Sequence, residues 1–213
     1  MNSGDPGTFW EADYRAKGVL YAGAPRAVPD FPDGTVILEL GCGNGKTLSA
    51  LCRKNRQVVA IDYSPRAVHL ARRTEYPDPG PAMAVADARN TPFRSGSFDV
   101  ITACHVLGHS PDSGRSAMVR ELLRLLRPGG WIWFSDFSTR DFRFGTGQQM
   151  EPGTFVRGNG IATHYFSEAE VRGLFSALVP EFLHFDEWTL RVRGTRYPRS
   201  EISALFRKPP AVL

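Results

Sequence analysis

An apolar run that stops at three alternating glycines dictates the fold class of this chain. Residues 36–45 read Val-Ile-Leu-Glu-Leu-Gly-Cys-Gly-Asn-Gly, and a helical pattern over residues 46–53 follows. Strand, glycine turn and helix in this order form the repeating unit of open α/β sheets. Glycine has no Cβ and tolerates positive φ, so the backbone of such a turn can approach a ligand closely. The N–H groups at the helix start can face an anion.

The glycine spacing separates this turn from two better-known phosphate loops. It is G-x-G-x-G, at Gly41, Gly43 and Gly45. The dinucleotide fingerprint G-x-G-x-x-G would need glycine at position 46, which is Lys46. The phosphate-binding G-x-x-x-x-G-K-[ST] loop would need glycine at position 40, which is Leu40. The turn therefore predicts a nucleotide-like ligand of a different kind.

Four further motifs follow in a fixed order. Asp62 closes the next apolar run, where its carboxylate can accept the two hydroxyls of a ribose. Ala-Asp-Ala at 86–88 ends a third run, Pro-Phe-Arg-Ser-Gly-Ser-Phe-Asp at 92–99 precedes a fourth, and Leu-Arg-Pro-Gly-Gly at 126–130 precedes a fifth. Together with the E-x-G-x-G-x-G turn, this order resembles the class I S-adenosylmethionine-dependent methyltransferases.

Alternation of strand and helix patterns independently predicts a parallel sheet with helices on both faces. The resemblance implies an α/β, Rossmann-like, seven-stranded sheet, mostly parallel with an antiparallel last strand. The expected strands are about 35–40, 57–62, 82–86, 98–104, 131–137, 182–193 and 200–207, with the last two paired through a turn at 194–198. The expected helices are about 45–54, 64–73, 111–127 and 167–178, with Gly129-Gly130 ending the third.

The resemblance implies S-adenosylmethionine as cofactor and S-adenosylhomocysteine as its product. Glu39 is expected to position the ammonium group, Asp62 the ribose and Asp87 the adenine amino group, with Tyr63 packed on the adenine and the Ala88 backbone reading it. The candidate cofactor-binding residues are Tyr21, Glu39, Gly41, Cys42, Gly43, Gly45, Asp62, Tyr63, Asp87, Ala88 and Cys104. A single acid at a strand end could equally be a solvated or capping group.

The acceptor side gives a weaker signal. His105, His164 and Tyr165 are candidate catalytic residues, because histidine titrates near neutrality and His164-Tyr165-Phe166 ends a long glycine-rich segment. Each histidine could instead be a packing residue. Residues 103–106 read Ala-Cys-His-Val, where methyltransferases of exocyclic base amines carry [DN]-P-P-[YF]. No metal site is expected from Cys104, His105 and His109, since adjacent strand residues point to opposite faces.

We expect one methyltransferase domain over residues 1–213, with two segments outside the alternating core as parts of it. Residues 1–34 are expected to cover the cofactor, and 138–165 to be a loop that acts as a substrate lid. The aromatic residues near the N-terminus resemble those of small thiol, thiopurine and tellurite methyltransferases. The Gly-Asn-Gly-Lys turn with the later His-Tyr-Phe resembles the wobble-uridine tRNA methyltransferases in part.

These likenesses leave the acceptor open. A small-molecule acceptor is the first choice and tRNA the alternative, because residues 191–208 hold six basic side chains against one acid. That cluster could also be a solvated hairpin whose arginines discourage edge pairing. An NAD-dependent oxidoreductase is disfavoured by the loop spacing, and a non-catalytic cofactor-sensing protein is a third hypothesis. The oligomeric state is not encoded in any recognisable pattern.

Composition places the chain among ordinary globular proteins. Its 213 residues carry a formal charge of +4, and its apolar runs have the length of strands rather than membrane spans. The N-terminus lacks the basic-then-apolar pattern of a signal peptide. The three cysteines cannot all pair, which favours free thiols and a cytoplasmic location.

Overall fold

The computed structural model describes residues 6–20, 28–53, 55–158 and 160–211. Its ten strands are β1 Val36–Leu40, β2 Gln57–Asp62, β3 Ala82–Val85, β4 Phe98–Cys104, β5 Leu126–Phe137, β6 Gln148–Glu151, β7 Thr154–Val156, β8 Ala162–His164, β9 Val179–Val192 and β10 Thr195–Arg207. Its helices are α1 Pro6–Lys17, α2 Leu48–Leu51, α3 Pro65–Ala71, α4 Asp112–Leu125 and α5 Glu168–Leu174, with a 3₁₀ turn at Leu107–His109. None of these helices is both long and apolar enough to cross a bilayer.

Seven strands form one sheet in the order β3-β2-β1-β4-β5-β10-β9. Neighbours from β3 to β5 run parallel, and β10 runs antiparallel to both β5 and β9. The predicted fold class is confirmed. Because parallel strands end at a common edge, the residues that follow β1, β2, β3 and β4 meet there.

Two apolar clusters pack on the faces of this sheet. On one face α4 and α5 bury Leu122, Val171 and Phe175 against strand residues such as Ile101 and Phe134. The other face packs against the short α2 and the segment before β1, through Phe31, Leu48, Leu51, Ile37 and Val58. The sheet core is therefore closed on both sides around β1 and β4, which fixes the edge where their carboxyl ends lie.

The helix after the glycine turn is shorter than predicted. Only Leu48–Leu51 is α-helical, and the expected span of 45–54 is wrong at both ends. Gly45 has φ of +90°, outside the helical region, and Cys52 leaves the helix with ψ of 59°. The turn therefore continues past the glycines before the helix begins.

The glycines at 129–130 do not end α4 as predicted. The helix stops at Leu125, because Leu126 already has an extended ψ of 131° and starts β5. Lys208 Nζ caps the helix end, donating to the carbonyl oxygens of Leu123 at 2.6 Å and Leu126 at 2.8 Å. A lysine distant in sequence thus satisfies the carbonyls that a terminal glycine turn was expected to satisfy.

Residues 138–165 are not the open loop that the sequence suggested. They contain β6, β7 and β8, which form a separate three-stranded antiparallel sheet, hereafter the small sheet. Its Glu151 contacts the buried Arg115 of α4 at 2.7 Å. The interpretation of this segment as a substrate lid stays a prediction.

The final hairpin turns earlier and more tightly than expected. Strands β9 and β10 are joined by Arg193 and Gly194 alone, with φ of +48° and +84°. Positive φ at both turn positions matches the right-handed twist of the flanking strands. The predicted turn at 194–198 is therefore mostly strand, and Pro198 pairs with Thr189.

Two helix starts agree with the sequence pattern. Ser64 Oγ accepts from Ala67 N at 2.9 Å, and Ser167 Oγ accepts from Glu170 N at 3.2 Å. Both are N-caps of the kind that the Ser-Pro and Ser-x-x-Glu patterns indicate. The carboxylate of Glu170 lies against His164 instead, with Oε1 2.8 Å from its Nε2.

Candidate active site

A cleft of about 1080 Å³ lies at the carboxyl edge of the main sheet. Ten of the predicted site residues line it: Glu39, Gly41, Cys42, Gly43, Asp62, Tyr63, Asp87, Ala88, Cys104 and His105. They come from the carboxyl ends of four parallel strands and the turns that follow, so the topology brings together what the sequence spreads over 67 positions. Tyr21 lies outside the described residues, and Gly45 is not among the residues that line the cleft.

The glycine turn is tightly enclosed as well as left-handed. Gly41 has φ of +61°, and a Cβ there would lie 2.4 Å from Val106 Cγ2. Gly43 has φ of +54°, and a Cβ there would lie 2.6 Å from the Tyr14 hydroxyl. Both the backbone conformation and the space require glycine, so the turn can pass directly beneath a ligand.

Two cysteine thiols are packed beside this turn. Cys42 and Cys52 are each 4% exposed. Burial raises the pKa of both thiols, that of Cys52 to about 11, and the carboxylates nearby add to the effect. Cys42, Cys52 and the third cysteine, Cys104, are all free thiols. Protonated thiols in an apolar setting are poor nucleophiles, and only Cys42 and Cys104 of the three line the cleft.

Glu39 at the end of β1 carries a buried carboxylate with one oxygen unsatisfied. The residue is 4% exposed, and its Oε2 has no hydrogen-bond partner in the described part of the chain. Burial raises the pKa of Glu39 to about 8, which hydrogen bonds with Thr47 and Thr102 only partly offset. A buried acceptor facing the glycine turn fits a cationic donor, such as the ammonium group of S-adenosylmethionine.

Asp62 at the end of β2 is bound to the backbone of two turns. Its Oδ2 accepts from Gly43 N at 2.8 Å, and its Oδ1 accepts from Ser64 N at 2.8 Å. Burial raises its pKa, although both of these hydrogen bonds act to lower it. Each carboxylate oxygen has a second lone pair, so the group can still accept from the two hydroxyls of a ribose.

Asp87, beyond β3, is oriented by its own neighbour. Arg89 donates to both carboxylate oxygens from its side chain, at 2.7–3.0 Å, and to Oδ1 from its backbone N–H at 2.8 Å. Burial alone would raise the pKa of Asp87, but these bonds lower it overall. An adenine amino group would therefore donate to an ionised Asp87 carboxylate that also accepts hydrogen bonds from Arg89.

The helix α1 forms one wall of the cleft. Gly7 packs its backbone on the Tyr63 ring, since a Cβ there would lie 2.0 Å from a ring carbon. Trp10 and Tyr14 also line the cleft, and Trp10 meets the His109 ring edge-on with centroids 4.7 Å apart. Residues of the N-terminal segment therefore form part of the cleft lining, and that they cover the cofactor stays a prediction.

His105 is held between two carboxylates. It follows β4 with φ of +55°, and its Nδ1 lies 3.6 Å from Asp136 Oδ1 while its Nε2 lies 3.5 Å from Glu201 Oε1. Burial alone would lower its pKa, but the two carboxylates raise it overall. Asp136 is fully buried and also accepts from Gly108 N at 2.9 Å. Two carboxylates thus face one imidazole at the junction of β4, β5 and β10.

Asp136 and Glu201 were not identified from the sequence. Asp136 stands near the carboxyl end of an apolar strand, as Asp62 does, and the same signal could have found it. Glu201 carries no such signal, because it sits within β10 and reaches the site only through the antiparallel pairing of β10 with β5.

His164 and Tyr165 are not brought to the cleft. His164 is 2% exposed, with Nδ1 2.7 Å from Thr154 Oγ1 and Nε2 2.8 Å from Glu170 Oε1. Tyr165 is 1% exposed and packs among Phe137, Phe144 and Phe155. Both residues pack in or beside the small sheet, and neither lines the cleft.

His109, by contrast, lines the cleft. Its Nδ1 lies 2.9 Å from Ala162 O of the small sheet, and burial lowers its pKa in spite of the nearby Asp136. Among the described residues, no three His, Cys, Asp or Glu side chains converge on a point that could hold a metal ion.

The half of the cleft beyond His105 is walled by one face of β5, β10 and β9. We call this surface the acceptor wall. Its side chains alternate along each strand and combine aromatic, charged and hydroxyl groups: Trp133, Ser135 and Phe137 from β5, Arg199, Glu201 and Ser203 from β10, and Phe182, His184, Asp186 and Trp188 from β9. Arg143 and Arg157 complete it.

The basic side chains of the predicted cluster at 191–208 lie in different environments. Arg199 enters the cleft, Arg207 lies over the Trp131 ring at 5.2 Å, and Lys208 caps α4. Arg191 and Arg196 pair across the hairpin and are exposed. The positive charge therefore continues from the cleft along the outer hairpin.

Comparison with known proteins identifies the family. Residues 38–134 match the model of a methyltransferase domain. The chain is 30% identical to the tRNA N(3)-methylcytidine methyltransferase Mettl2 of Drosophila melanogaster over 234 aligned positions, covering 96% of this chain and 72% of that protein. It is 29% identical to the human tRNA N(3)-cytidine methyltransferase METTL2B, of which it spans only 43%.

A solved structure shares the fold. The SAM-dependent methyltransferase from Methanosarcina mazei superposes with a TM-score of 0.71 at 24% identity, covering 85% of this chain and 95% of that one. The chain belongs to the S-adenosylmethionine-dependent methyltransferases, as its motifs indicated. S-adenosylmethionine is therefore its methyl donor.

Proposed function

We propose that this methyltransferase modifies a nucleobase of tRNA, and that N3 of cytosine is the methylated atom. The names of its relatives in flies and humans favour this acceptor over the small molecule that sequence analysis placed first. The observation that carries the proposal is the acceptor wall, where aromatic rings and arginines lie side by side next to His105.

Such a wall suits an unstacked base. Proteins that read single-stranded RNA stack bases on aromatic or guanidinium planes and hold the backbone with basic groups. Trp188 and Phe137 offer rings, and Arg199 lies between them, 5.2 Å and 5.0 Å from their centroids. The exposed hairpin with Arg191 and Arg196 extends the positive surface toward a larger nucleic acid.

The chemistry of cytosine N3 matches the groups at the centre of the cleft. S-adenosylmethionine, when bound, supplies an electrophilic methyl group on a sulfonium. N3 has a free lone pair and no proton to lose, so the protein needs to orient the base but not to deprotonate it. Methylation leaves the ring positively charged, and the carboxylates of Glu201 and Asp136 beside His105 would stabilise that charge.

Glu201 is the carboxylate that we propose contacts the base. It lines the cleft and is 6% exposed, so its carboxylate acts in a partly desolvated setting. We assign it to accept from the exocyclic amino group next to N3. His105 and Asp136 then act as positioning residues for that carboxylate, and Glu39, Asp62 and Asp87 as the groups that hold the donor.

The test is methyl transfer to defined RNA. The chain is incubated with methyl-labelled S-adenosylmethionine and unmodified tRNA transcripts, and the digested nucleosides are separated by mass spectrometry. We expect labelled N3-methylcytidine, lost when the modified cytidine is replaced by uridine. Tight binding of S-adenosylhomocysteine with no label in any tRNA would rule out the proposed acceptor.

A further inference from the structure

Two arginines of the acceptor wall share one buried carboxylate. Asp141 is 2% exposed and accepts from Arg143 Nε at 2.7 Å and from Arg199 Nε at 2.7 Å. Arg143 adds a second side-chain bond at 3.1 Å, and Ser200 N also donates to Asp141 at 3.3 Å. One fixed acceptor thus holds guanidinium groups from two distant parts of the chain.

Aromatic rings hold the same two groups from the side. The Arg143 guanidinium carbon lies 3.9 Å from the centroid of Phe137, and that of Arg199 lies 5.0 Å from it. Trp188 borders Arg199 on the other side at 5.2 Å. The Arg143 and Arg199 side chains are only 15% and 14% exposed, so both are held in place before any ligand arrives.

The charges in this cluster do not balance. Burial alone would raise the pKa of Asp141, but the two arginines lower it, so it contributes one negative charge against two positive ones. The neighbouring carboxylates are engaged elsewhere, since Asp186 accepts from Ser203 Oγ at 2.7 Å and Glu201 faces His105. Among the described residues, none accepts a hydrogen bond from the terminal amino groups of Arg199.

The cluster lies one ring away from the proposed reaction centre. Phe137 contacts Arg143 on one side, and its ring centroid is 4.6 Å from that of His105. Both arginines line the same cleft as His105. A group that bound to them would therefore belong to the molecule whose base sits at His105.

We propose that Arg143 and Arg199 form a phosphate-binding site that holds the backbone phosphate next to the nucleotide being methylated. The proposal rests on the proposed function for its ligand, an RNA phosphate. Guanidinium groups bind phosphate oxygens through paired, charge-assisted hydrogen bonds, and a preordered pair loses little entropy in doing so. The site would fix the register of the RNA, so that one nucleotide reaches the methyl donor.

The first experiment measures binding of an unmodified tRNA transcript by fluorescence anisotropy across a salt series. We expect Arg143→Gln and Arg199→Gln each to weaken binding at least tenfold, and to reduce the slope of log Kd against log salt by about 0.7. Arg172→Gln is the matched control, because Arg172 is a surface arginine of α5 outside the cleft. Calorimetric binding of S-adenosylhomocysteine verifies that each variant is folded.

A second experiment measures binding of RNA in which single phosphates have been made neutral. A neutral methylphosphonate replaces the phosphate on either side of the target cytidine in a short RNA. One replacement should weaken binding to the unmodified protein at least tenfold, and Arg199→Gln should then cause no further loss. Unchanged affinity with both replacements, or with both arginine variants, overturns the phosphate site.

The two proposals can fail separately. If the protein methylates tRNA and the arginine variants bind RNA normally, the site is wrong and the function stands. If it transfers no methyl to tRNA, the function is wrong, and the site is tested with cytidine 5′-monophosphate against cytidine. A preference for the phosphorylated probe that Arg199→Gln removes would support the site, and equal binding of both probes would contradict it.

Discussion

The Asp62 carboxylate lies 2.8 Å from the backbone nitrogen of Gly43, so the tip of β2 is fastened to the turn after β1. We expect Asp62→Ala to weaken binding of S-adenosylhomocysteine by roughly 1.5–3 kcal/mol, because it removes a charged acceptor and releases the turn. Isothermal calorimetry measures this directly. Asp33→Ala, at an exposed position outside the cleft, is the control, and an unchanged affinity of Asp62→Ala would refute the ribose role.

Gly41 is expected to be less replaceable than Gly34, although both have positive φ. Gly34 has φ of +73° and open space around it. Replacing it with alanine should lower the free energy of unfolding only by the cost of the left-handed backbone, about 1–2 kcal/mol. Alanine at Gly41 meets Val106 as well, so urea unfolding should show about 1–3 kcal/mol of additional loss. Adding Val106→Ala should recover part of that difference, and equal losses for both single variants would contradict the steric argument.

Glu39 should make the ligand-free protein less stable as the pH rises. Its folded pKa of about 8 lies above the ordinary 4.5, so between these values the folded state keeps a proton that the unfolded chain releases. Each pH unit in this window then costs about 1.4 kcal/mol of folding stability. Glu39→Gln should gain stability over the unmodified protein from pH 4.5 to pH 8, measured by urea unfolding, and a pH-independent difference would count against this.

The same group should release a proton when the donor binds. An ammonium group beside Glu39 favours the carboxylate, so the proton held at neutral pH is lost on binding. Calorimetry of S-adenosylhomocysteine in buffers of different ionisation enthalpy should report this release. Glu39→Gln should abolish it and weaken binding, whereas an equal release from the variant would exclude Glu39 as its source.

His105 should affect turnover more than donor affinity. Asparagine is the appropriate substitution, because it tolerates the left-handed backbone at this position. We expect His105→Asn to lower kcat for tRNA methylation at least tenfold while S-adenosylhomocysteine binds as before. His69→Asn, on the exposed side of α3, is the control, and parallel losses in kcat and affinity would indicate a purely structural role.

The pH dependence of His105 provides a second check. Its pKa is raised above 6.5 by Asp136 and Glu201, so it stabilises the fold below pH 6.5 and loses this contribution as the pH rises through the folded-state pKa. The stability difference between the unmodified protein and His105→Asn should therefore shrink with rising pH above 6.5. An NMR titration of the imidazole that gives a pKa below 6.5 would disagree with the two-carboxylate geometry.

The sequence was most informative where one local signal determines one element. The bounds of β2 and β4 were predicted to the residue, because each is an apolar run that ends at a polar site residue or a change of pattern. The small sheet was missed, since β6, β7 and β8 are short and carry no strong alternation. The end of α4 was also missed, because Lys208 caps it from the far end of the chain.

The residues of the candidate site also fall into those that the sequence could predict and those that it could not. Glu39, Asp62 and Asp87 could be predicted to meet at one edge of the sheet, because each lies at or just beyond the carboxyl end of its own parallel strand. Glu201 and Arg143 could not be found, and Arg199 was predicted only as one member of the basic cluster, because the pairing of β10 with β5 and the shared Asp141 bring these residues together. His164 was chosen for its residue type, but its side chain is buried between Thr154 and Glu170 and does not line the cleft.

Chemical labelling of the buried thiols of Cys42 and Cys52 can report local opening of the protein. Each is 4% exposed and held in its protonated state by burial, so an alkylating reagent can reach it only after the surrounding chain has moved apart. Cys42 sits in the glycine turn and Cys52 at the end of α2. The labelling rates of these two cysteines would therefore measure how often the glycine turn and α2 open to solvent.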